Sequence, residues 1–217
     1  DKIYIGWVGD SRIIGEIKNK DDASSAVVEL STDHKAGRAD EKTRIRQAGG
    51  TVNSKDRLYG DLAVSRAFGD IYHKGDVLKQ DGKKHMKHLA CMLDEHSNDL
   101  GEIRIQNLDI SSINFSTIND LQTGALVCTP DVVVEEKDKF KMIVIASDGI
   151  FDVMSNEAVI KFINDKLSLL KDSEGGYNSN SKTPYLMETI ASDLTKHAET
   201  LGSVDNISVV IIMFKTS

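Results

Sequence analysis

Cysteines, prolines and long apolar runs are scarce in this chain of 217 residues. Its two cysteines, Cys91 and Cys128, are too few and too far apart for a disulfide framework or a CxxC metal site. They indicate a reducing compartment, and we expect a cytoplasmic or nuclear protein. The longest apolar run, 209–214, is far below the roughly 20 residues that a membrane helix needs, so we expect no membrane association.

Basic residues are also in the minority. The chain has 27 Lys and Arg against 34 Asp and Glu, which gives a formal net charge of -7. Proteins that bind nucleic acids usually show a basic excess, so we expect no nucleic-acid partner. Any anionic substrate must be met by local cations or by metal, because the overall field repels it. We also expect a monomer.

The length and the hydrophobic content of 40% suit a single domain over residues 1–217. The chain opens directly in an apolar strand, and we expect that the N-terminal portion of the domain is missing from it. Residues 71–127 are polar and weakly periodic, which predicts an insertion, because structureless loops of that size are unusual in a compact domain. Its lysines and histidines suit either a basic surface for a phosphoprotein or an ordinary solvated loop.

Short apolar runs bounded by turn residues predict strands at 3–8, 13–17, 26–30, 62–64, 132–135, 142–146 and 207–214. Apolar residues at helical spacing predict helices over 40–48, from Ser155 to about Leu170, and from Thr183 to Leu201. Asp40 and Ser155 are the predicted caps, and Gly202 is the predicted stop. Strands joined by tight turns favour antiparallel sheets covered by helices, which is an α+β fold.

Several acids follow or precede predicted strands, namely Asp33, Asp148 and Asp205, and Asp152 comes one helical turn after Asp148. Taken singly, each suits a turn or a cap, where Asp hydrogen-bonds the nearby backbone. Taken together, they favour a cation, because two carboxylates about 4 Å apart repel by about 4 kcal/mol at an effective dielectric near 20. Oxygen donors with no His or Cys partner suit Mg²⁺ or Mn²⁺. Gly149 makes a tight exit from the strand, so a carboxylate and a carbonyl can face one ion.

Six stretches stand out, in this order: VGDSR (8–12), TDHKAGRADEKTRIRQAGGTV (32–52), RLYGDLAVSRAFGD (57–70), PDVVVEE (130–136), ASDGIFDVMSNEAV (146–159) and GSVDNISVVII (202–212). Together they resemble the metal-dependent serine/threonine protein phosphatases of the 2C type, the PPM family. The resemblance implies a four-layer α/β/β/α sandwich, with two antiparallel sheets flanked by helices. It also implies hydrolysis of phosphoserine or phosphothreonine by a metal-activated water.

Carried over by position, Asp148 and Asp205 match the ligands of two Mg²⁺ or Mn²⁺ ions. Asp152 and Asp33 match acids that help to hold a weaker third ion. Gly149 and Asn206 match supporting positions, the latter setting the pose of Asp205. The resemblance also places Arg66 in structural pairing and His34 where it could orient a carboxylate.

The family's upstream acidic motif and its DGHGG motif do not occur in this sequence. Because they carry further ligands and a general acid, we expect residues 1–217 to hold only part of the metal centre and to be weak or inactive alone. The family usually has prolines near Asp33, where this chain has Ala36 and Ala39, which loosens that loop. One alternative is a truncated or degenerate relative that binds phosphoproteins or other partners without catalysis. Another is a magnesium-dependent hydrolase with an Asp nucleophile, whose DxD motif is not found.

Overall fold

The structure is a computed structural model that describes residues 1–18, 26–70, 73, 124–173 and 183–214. The chain divides into two compact units. Unit 1 comprises Asp1–Asp33 with Pro130–Ser217, and unit 2 comprises His34–Thr129. Most of the predicted insertion at 71–127 lies outside the described residues, as do residues 174–182.

Unit 1 contains two antiparallel sheets. Six strands build them: β1 (Lys2–Trp7), β2 (Arg12–Ile17), β3 (Ala26–Glu29), β4 (Asp131–Glu136), β5 (Phe140–Ala146) and β6 (Val209–Met213). One sheet pairs β1 with β4, and the other has the order β3-β2-β5-β6. Each strand lies within two residues of its sequence prediction. The predicted strand at 62–64 is wrong, because Leu62 and Val64 form only isolated bridges, to Leu58 and Lys35.

An apolar core separates the two sheets. Side chains from β1, such as Ile5, pack with Ile13, Phe140 and Ile143 from the four-stranded sheet. Alternation places Ile143 and Met142 on opposite faces of β5, and Phe140 reaches the inter-sheet face because the pairing shifts register between Glu16 and Ile17. The other face of β5, which includes Met142, packs instead against helices.

The described residues of unit 1 form three α-helices, namely the short α2 (Asp148–Phe151), α3 (Asn156–Ser173) and α4 (Thr183–Thr200). Ile163 of α3 and Ile190 and Leu194 of α4 are almost fully buried against the four-stranded sheet. The predicted apolar stripe ends earlier than expected. Leu201 lies beyond α4 and is 48% exposed, because Gly202 turns the chain away with a φ of 97°.

Unit 2 contains α1 (Ala39–Gln47). The predicted cap at Asp40 is wrong. No side chain caps this helix, and Asp40 accepts hydrogen bonds of 2.7 and 2.9 Å from Arg38 instead. The carboxylate of Glu41, whose side chain is 2% exposed, is paired with Arg44 and Arg66 at 2.9 and 2.8 Å. The buried carboxylate of Glu41 is thus neutralised by the guanidinium groups of Arg44 and Arg66.

The predicted α+β class with two antiparallel sheets and flanking helices is confirmed. The described residues of unit 1 form three of the four predicted layers, namely the two sheets and the helices on the four-stranded sheet. Among the described helices, none has the length and apolar character that crossing a membrane requires.

Candidate metal centre

The chain segments that carry the candidate acids meet at one end of the four-stranded sheet, where its strands begin or terminate. This end is called the sheet edge. Arg12, Ala146 and Val209 are in register across β2, β5 and β6. Asp148 follows β5 and Asp205 precedes β6, so neighbouring strands deliver both acids to the same edge. The segment after β3 reaches this edge too, because Ile13 N–H donates to Ser31 Oγ at 2.7 Å. Acids that are far apart in sequence are therefore carried to the same end of the sheet.

Asp148 begins α2 directly after the β5 strand. Gly149 is buried behind it, and a Cβ there would lie 2.8 Å from the Asn206 carbonyl oxygen. Ser203 Oγ donates to the Gly149 carbonyl oxygen at 2.6 Å. The chain after α4 is therefore fastened to the turn that carries Asp148, and only glycine fits at the contact.

Asp205 lies in the segment that this contact fixes. The segment starts where α4 ends, since Ser203 N–H donates to Ala198 O at 3.0 Å in a closing turn. Asn206 N–H donates to Asp205 Oδ1 at 2.6 Å, which orients the carboxylate. Ser147 Oγ also donates to the Asn206 carbonyl at 3.1 Å. The chain segments that carry Asp148 and Asp205 are thus connected through backbone and serine hydroxyl groups.

Asp33 lies at the same edge but has a resident partner. Arg12 donates from Nε to Asp33 Oδ1 at 3.1 Å and from Nη2 to Oδ2 at 2.9 Å. The paired side chains are only 25% and 15% exposed. These hydrogen bonds, followed by the attraction of Asp33, Glu29 and Asp152, raise the pKa of Arg12 despite its partial burial. Arg12 therefore stays charged and neutralises this acid.

Asp152 ends the turn that Asp148 begins, with its N–H donating to Asp148 O at 2.8 Å. It is exposed, as Asp205 is, whereas Asp148 and Asp33 are partly buried. Water screens the exposed charges of Asp152 and Asp205, which weakens their repulsion. The acids are compatible with one edge even before a cation binds.

The donor chemistry of the edge fits Mg²⁺ or Mn²⁺. All four candidate side chains offer carboxylate oxygens, and Mg²⁺ is commonly held by one or two carboxylates with several waters. Within the described residues, however, no three His, Cys, Asp or Glu side chains come close enough together to hold one metal ion. The four acids are thus suitable ligands by type, and they do not form a three-ligand cluster among themselves.

Arg66 and His34 lie in unit 2. Arg66 donates to Glu41 Oε1 at 2.8 Å and to the Thr129 carbonyl at 3.1 Å, and its role in the family's centre stays a prediction. His34 is fully buried, and its carbonyl accepts from both the N–H and the hydroxyl of Ser65. The proposed orienting role of His34 toward a carboxylate stays a prediction.

Sequence reasoning missed the residues that hold the acids in place. Arg12 was not among the candidate site residues, although its bidentate pair with Asp33 makes it part of the edge. Nor were Ser147, Asn156 or Glu29 singled out. The sequence does offer a signal for Ser147. A serine directly before Asp148, at the end of a strand, can hydrogen-bond the backbone of the neighbouring strand, as Ser147 does with Asn206 and Ser208. Asn156, which accepts from Arg12 at 3.1 Å across 144 residues, gives no local pattern.

The sequence model of the family described as Protein phosphatase 2C matches residues 1–207. "Probable protein phosphatase 2C 11" of Arabidopsis thaliana is 29% identical over 219 residues, which cover 100% of this chain and 39% of that relative. "Protein phosphatase ppm-1.A" of Caenorhabditis elegans is 29% identical over 213 residues, which cover 97% of this chain and 32% of that relative. The chain thus spans less than half the length of either relative.

Solved structures agree on the fold. A phosphatase from a pathogenic strain of Toxoplasma gondii aligns with a TM-score of 0.59 at 23% identity, covering 98% of this chain and 49% of that one. A serine-threonine phosphatase 2C from the same organism aligns with a TM-score of 0.57 at 20% identity, covering 99% and 55%. Because the family match extends over nearly the whole sequence, the chain belongs to the protein phosphatase 2C family.

Proposed function

We propose that this chain is the C-terminal part of a metal-dependent phosphatase domain that hydrolyses phosphoserine and phosphothreonine in proteins. The observation that carries the proposal is the arrangement of Asp148 and Asp205 on adjacent strand ends, joined through the Ser203–Gly149 hydrogen bond of 2.6 Å. Family membership supports the reaction class. The oxygen-only donor set supports a hard cation.

In this proposal Asp148 and Asp205 hold two Mg²⁺ or Mn²⁺ ions together with ligands from outside residues 1–217. Asp152 and Asp33 contribute to a weaker third position. When bound, such ions polarise a phosphoryl oxygen and lower the pKa of a water so that it can attack. The protein's own share is positioning, because Asn206 N–H orients Asp205 and the Gly149 contact sets its distance from Asp148.

The centre formed by residues 1–217 alone is partial in this proposal. The family's upstream motif DGHGG is not in this sequence, and the described residues provide no three-ligand cluster. We therefore propose weak metal binding and little turnover for the isolated chain. The same observation keeps the second function open, in which the chain binds phosphoproteins or other partners without catalysis.

The remaining parts of the proposal concern partners and location. The substrate is a phosphoprotein, and the protein acts as a monomer in the cytoplasm or nucleus without nucleic acid. The net charge of -7 means that the phosphate must be attracted by local cations, for which bound metal is the proposed source.

Phosphate release from a phosphothreonine peptide in the presence of Mn²⁺ tests the function. The full-length protein, residues 1–217 alone, and full-length variants Asp148→Asn and Asp138→Asn are compared. Asp138 is an exposed acid in the turn before β5, so Asp138→Asn is the matched control. We expect activity in the full-length protein and in the control, and at least a hundredfold loss in Asp148→Asn, since metal charge stabilisation contributes several kcal/mol.

Activity that survives Asp148→Asn would reject the metal mechanism. Full activity in residues 1–217 alone would reject the partial centre. A full-length protein that binds the phosphopeptide and never releases phosphate would favour the non-catalytic alternative.

A further inference from the structure

The guanidinium group of Arg12 occupies the position next to Asp33 that a cation at this carboxylate would need. It holds both oxygens of Asp33 through two parallel hydrogen bonds of 3.1 and 2.9 Å. Such forked, charge-assisted pairs are stronger and more directional than single hydrogen bonds. Asp33 therefore has its charge neutralised before any metal arrives.

Arg12 is itself fixed by contacts other than Asp33. Its Nη1 donates to Asn156 Oδ1 at 3.1 Å, and Asn156 Nδ2 donates in turn to Glu29 at 2.8 Å. Its guanidinium carbon lies 4.8 Å from the centroid of the Phe151 ring, which is a favourable cation–π distance. Phe151 belongs to α2, the element that also carries Asp148. The guanidinium thus has a built position between the sheet edge, α2 and the start of α3.

A divalent ion and this guanidinium compete for the charge and the oxygens of Asp33. Both are positive, and both require the carboxylate oxygens at short distance. Asp152 adds a second carboxylate that attracts Arg12. An ion that uses an oxygen of Asp33 must therefore weaken or displace the Arg12 fork.

We propose that Arg12 competes with divalent cations for Asp33 and thereby sets the affinity of the weakest ion position in the centre. The inference rests on the proposed function and concerns the regulation of the same site. Arg12 is a positioning residue here, since it acts on a ligand and not on the substrate. Its occupancy of Asp33 makes the third position fill only at high metal concentration.

Mn²⁺ binding to the full-length protein tests this, with the free Mn²⁺ concentration measured by electron paramagnetic resonance. Arg12→Gln removes the charge, and Arg12→Lys keeps the charge but not the fork. We expect Arg12→Gln to bind the Mn²⁺ ion of the weakest position about ten- to hundredfold more tightly than the unmodified protein does. Loss of a hydrogen-bonded charge pair changes the binding free energy by an amount of that order. The double variant Arg12→Gln with Asp33→Asn is expected to lose that ion, and Arg12→Lys to gain little.

Identical Mn²⁺ isotherms for Arg12→Gln and the unmodified chain would overturn the inference. A gain that survives Asp33→Asn would overturn it as well. The proposed function fails separately, if Asp148→Asn leaves the tighter Mn²⁺ ions in place. The two failures are therefore distinguishable by which variant shows no effect.

A second measurement covers the case in which Arg12→Gln does not fold. In ¹H–¹⁵N spectra of the unmodified chain, the Nε–H signal of Arg12 is assigned by its loss in Arg12→Lys. During a Mg²⁺ titration we expect this signal to move only after the tighter ions are bound, as the fork opens. A signal that stays unchanged at saturating Mg²⁺ would contradict competition at Asp33.

Discussion

Gly149→Ala is the substitution that tests the contact between Asp148 and the Asp205 segment most sharply. The added Cβ would lie 2.8 Å from Asn206 O and 3.1 Å from Ile207 Cγ1. The nearer atom belongs to the backbone, so no side-chain rotation relieves the clash. The segment that carries Asp205 must move away from α2, and its distance from Asp148 increases.

Two opposing terms determine the size of the effect. Overpacking of a tight contact costs about 1–3 kcal/mol. Alanine replaces glycine in a helix, which stabilises by up to about 1 kcal/mol. Because the nearest atom is backbone, the upper part of the first range, about 2–3 kcal/mol, applies, and the net loss is about 1–2 kcal/mol. For a chain of this length each kcal/mol lowers Tm by about 2–4 °C. We therefore expect Tm to fall by about 2–8 °C and Mn²⁺ affinity to fall with it.

Calorimetric melting and Mn²⁺ titration of the same samples provide the assay. Gly6→Ala is the matched control, because its Cβ would meet its nearest atoms at an ordinary 3.8 Å. Alanine is favoured over glycine in a strand interior, so the control keeps or slightly raises Tm. A Gly149→Ala protein that melts as high as the unmodified chain and binds Mn²⁺ equally well would refute the reasoning.

Three further predictions concern hydrogen bonds and charge. Ser203→Ala should lower stability by about 1–2 kcal/mol, because the Gly149 carbonyl loses its 2.6 Å donor, while Ser168→Ala on the exposed face of α3 should change little in denaturant unfolding. Burial acts to raise the pKa of Glu41, but hydrogen bonds from Arg66, Arg44 and Ser65 outweigh it and hold that pKa well below 4.5. Glu41→Gln should thus cost most stability above pH 4.5, and the difference should shrink as pH falls below that value; a difference constant with pH would contradict this. Arg66→Ala should destabilise by about 3 kcal/mol in urea unfolding, and an unchanged midpoint would show that Arg44 alone suffices for Glu41.

Most of the strands could be predicted from the sequence because each has its own local pattern. The apolar run of β5 and the alternation in β4 can be recognised from each segment alone. A strand buried on both faces is apolar throughout, and one buried on a single face alternates. The turn after α4 was equally readable, because Gly202 adopts a positive φ that other residues disfavour. These features depend on short stretches of chain.

The errors arose where a distant or competing partner decides the structure. Asp40 has the right identity for a cap, but the guanidinium of Arg38 takes its carboxylate. Leu201 continues the apolar spacing of α4, although the helix has already ended at Thr200. The pairing of Arg12 with Asp33 spans 21 residues and its bond to Asn156 spans 144, and no local pattern encodes either.

The roles of the acids were available only through resemblance to a family. Spacing placed Asp148 and Asp205 at strand ends, and the structure brings those ends to one sheet edge. Spacing did not indicate that Asp33 would be neutralised by an arginine. Asp33 therefore has a bidentate arginine partner that its position in the sequence does not reveal.

The most direct test of the central claim is an anomalous difference map at the manganese absorption edge, from crystals of the full-length protein grown with Mn²⁺. We expect peaks within coordination distance of the carboxylate oxygens of Asp148 and Asp205. A map with no peak at these two side chains, or with peaks only at other acids, would contradict the claim.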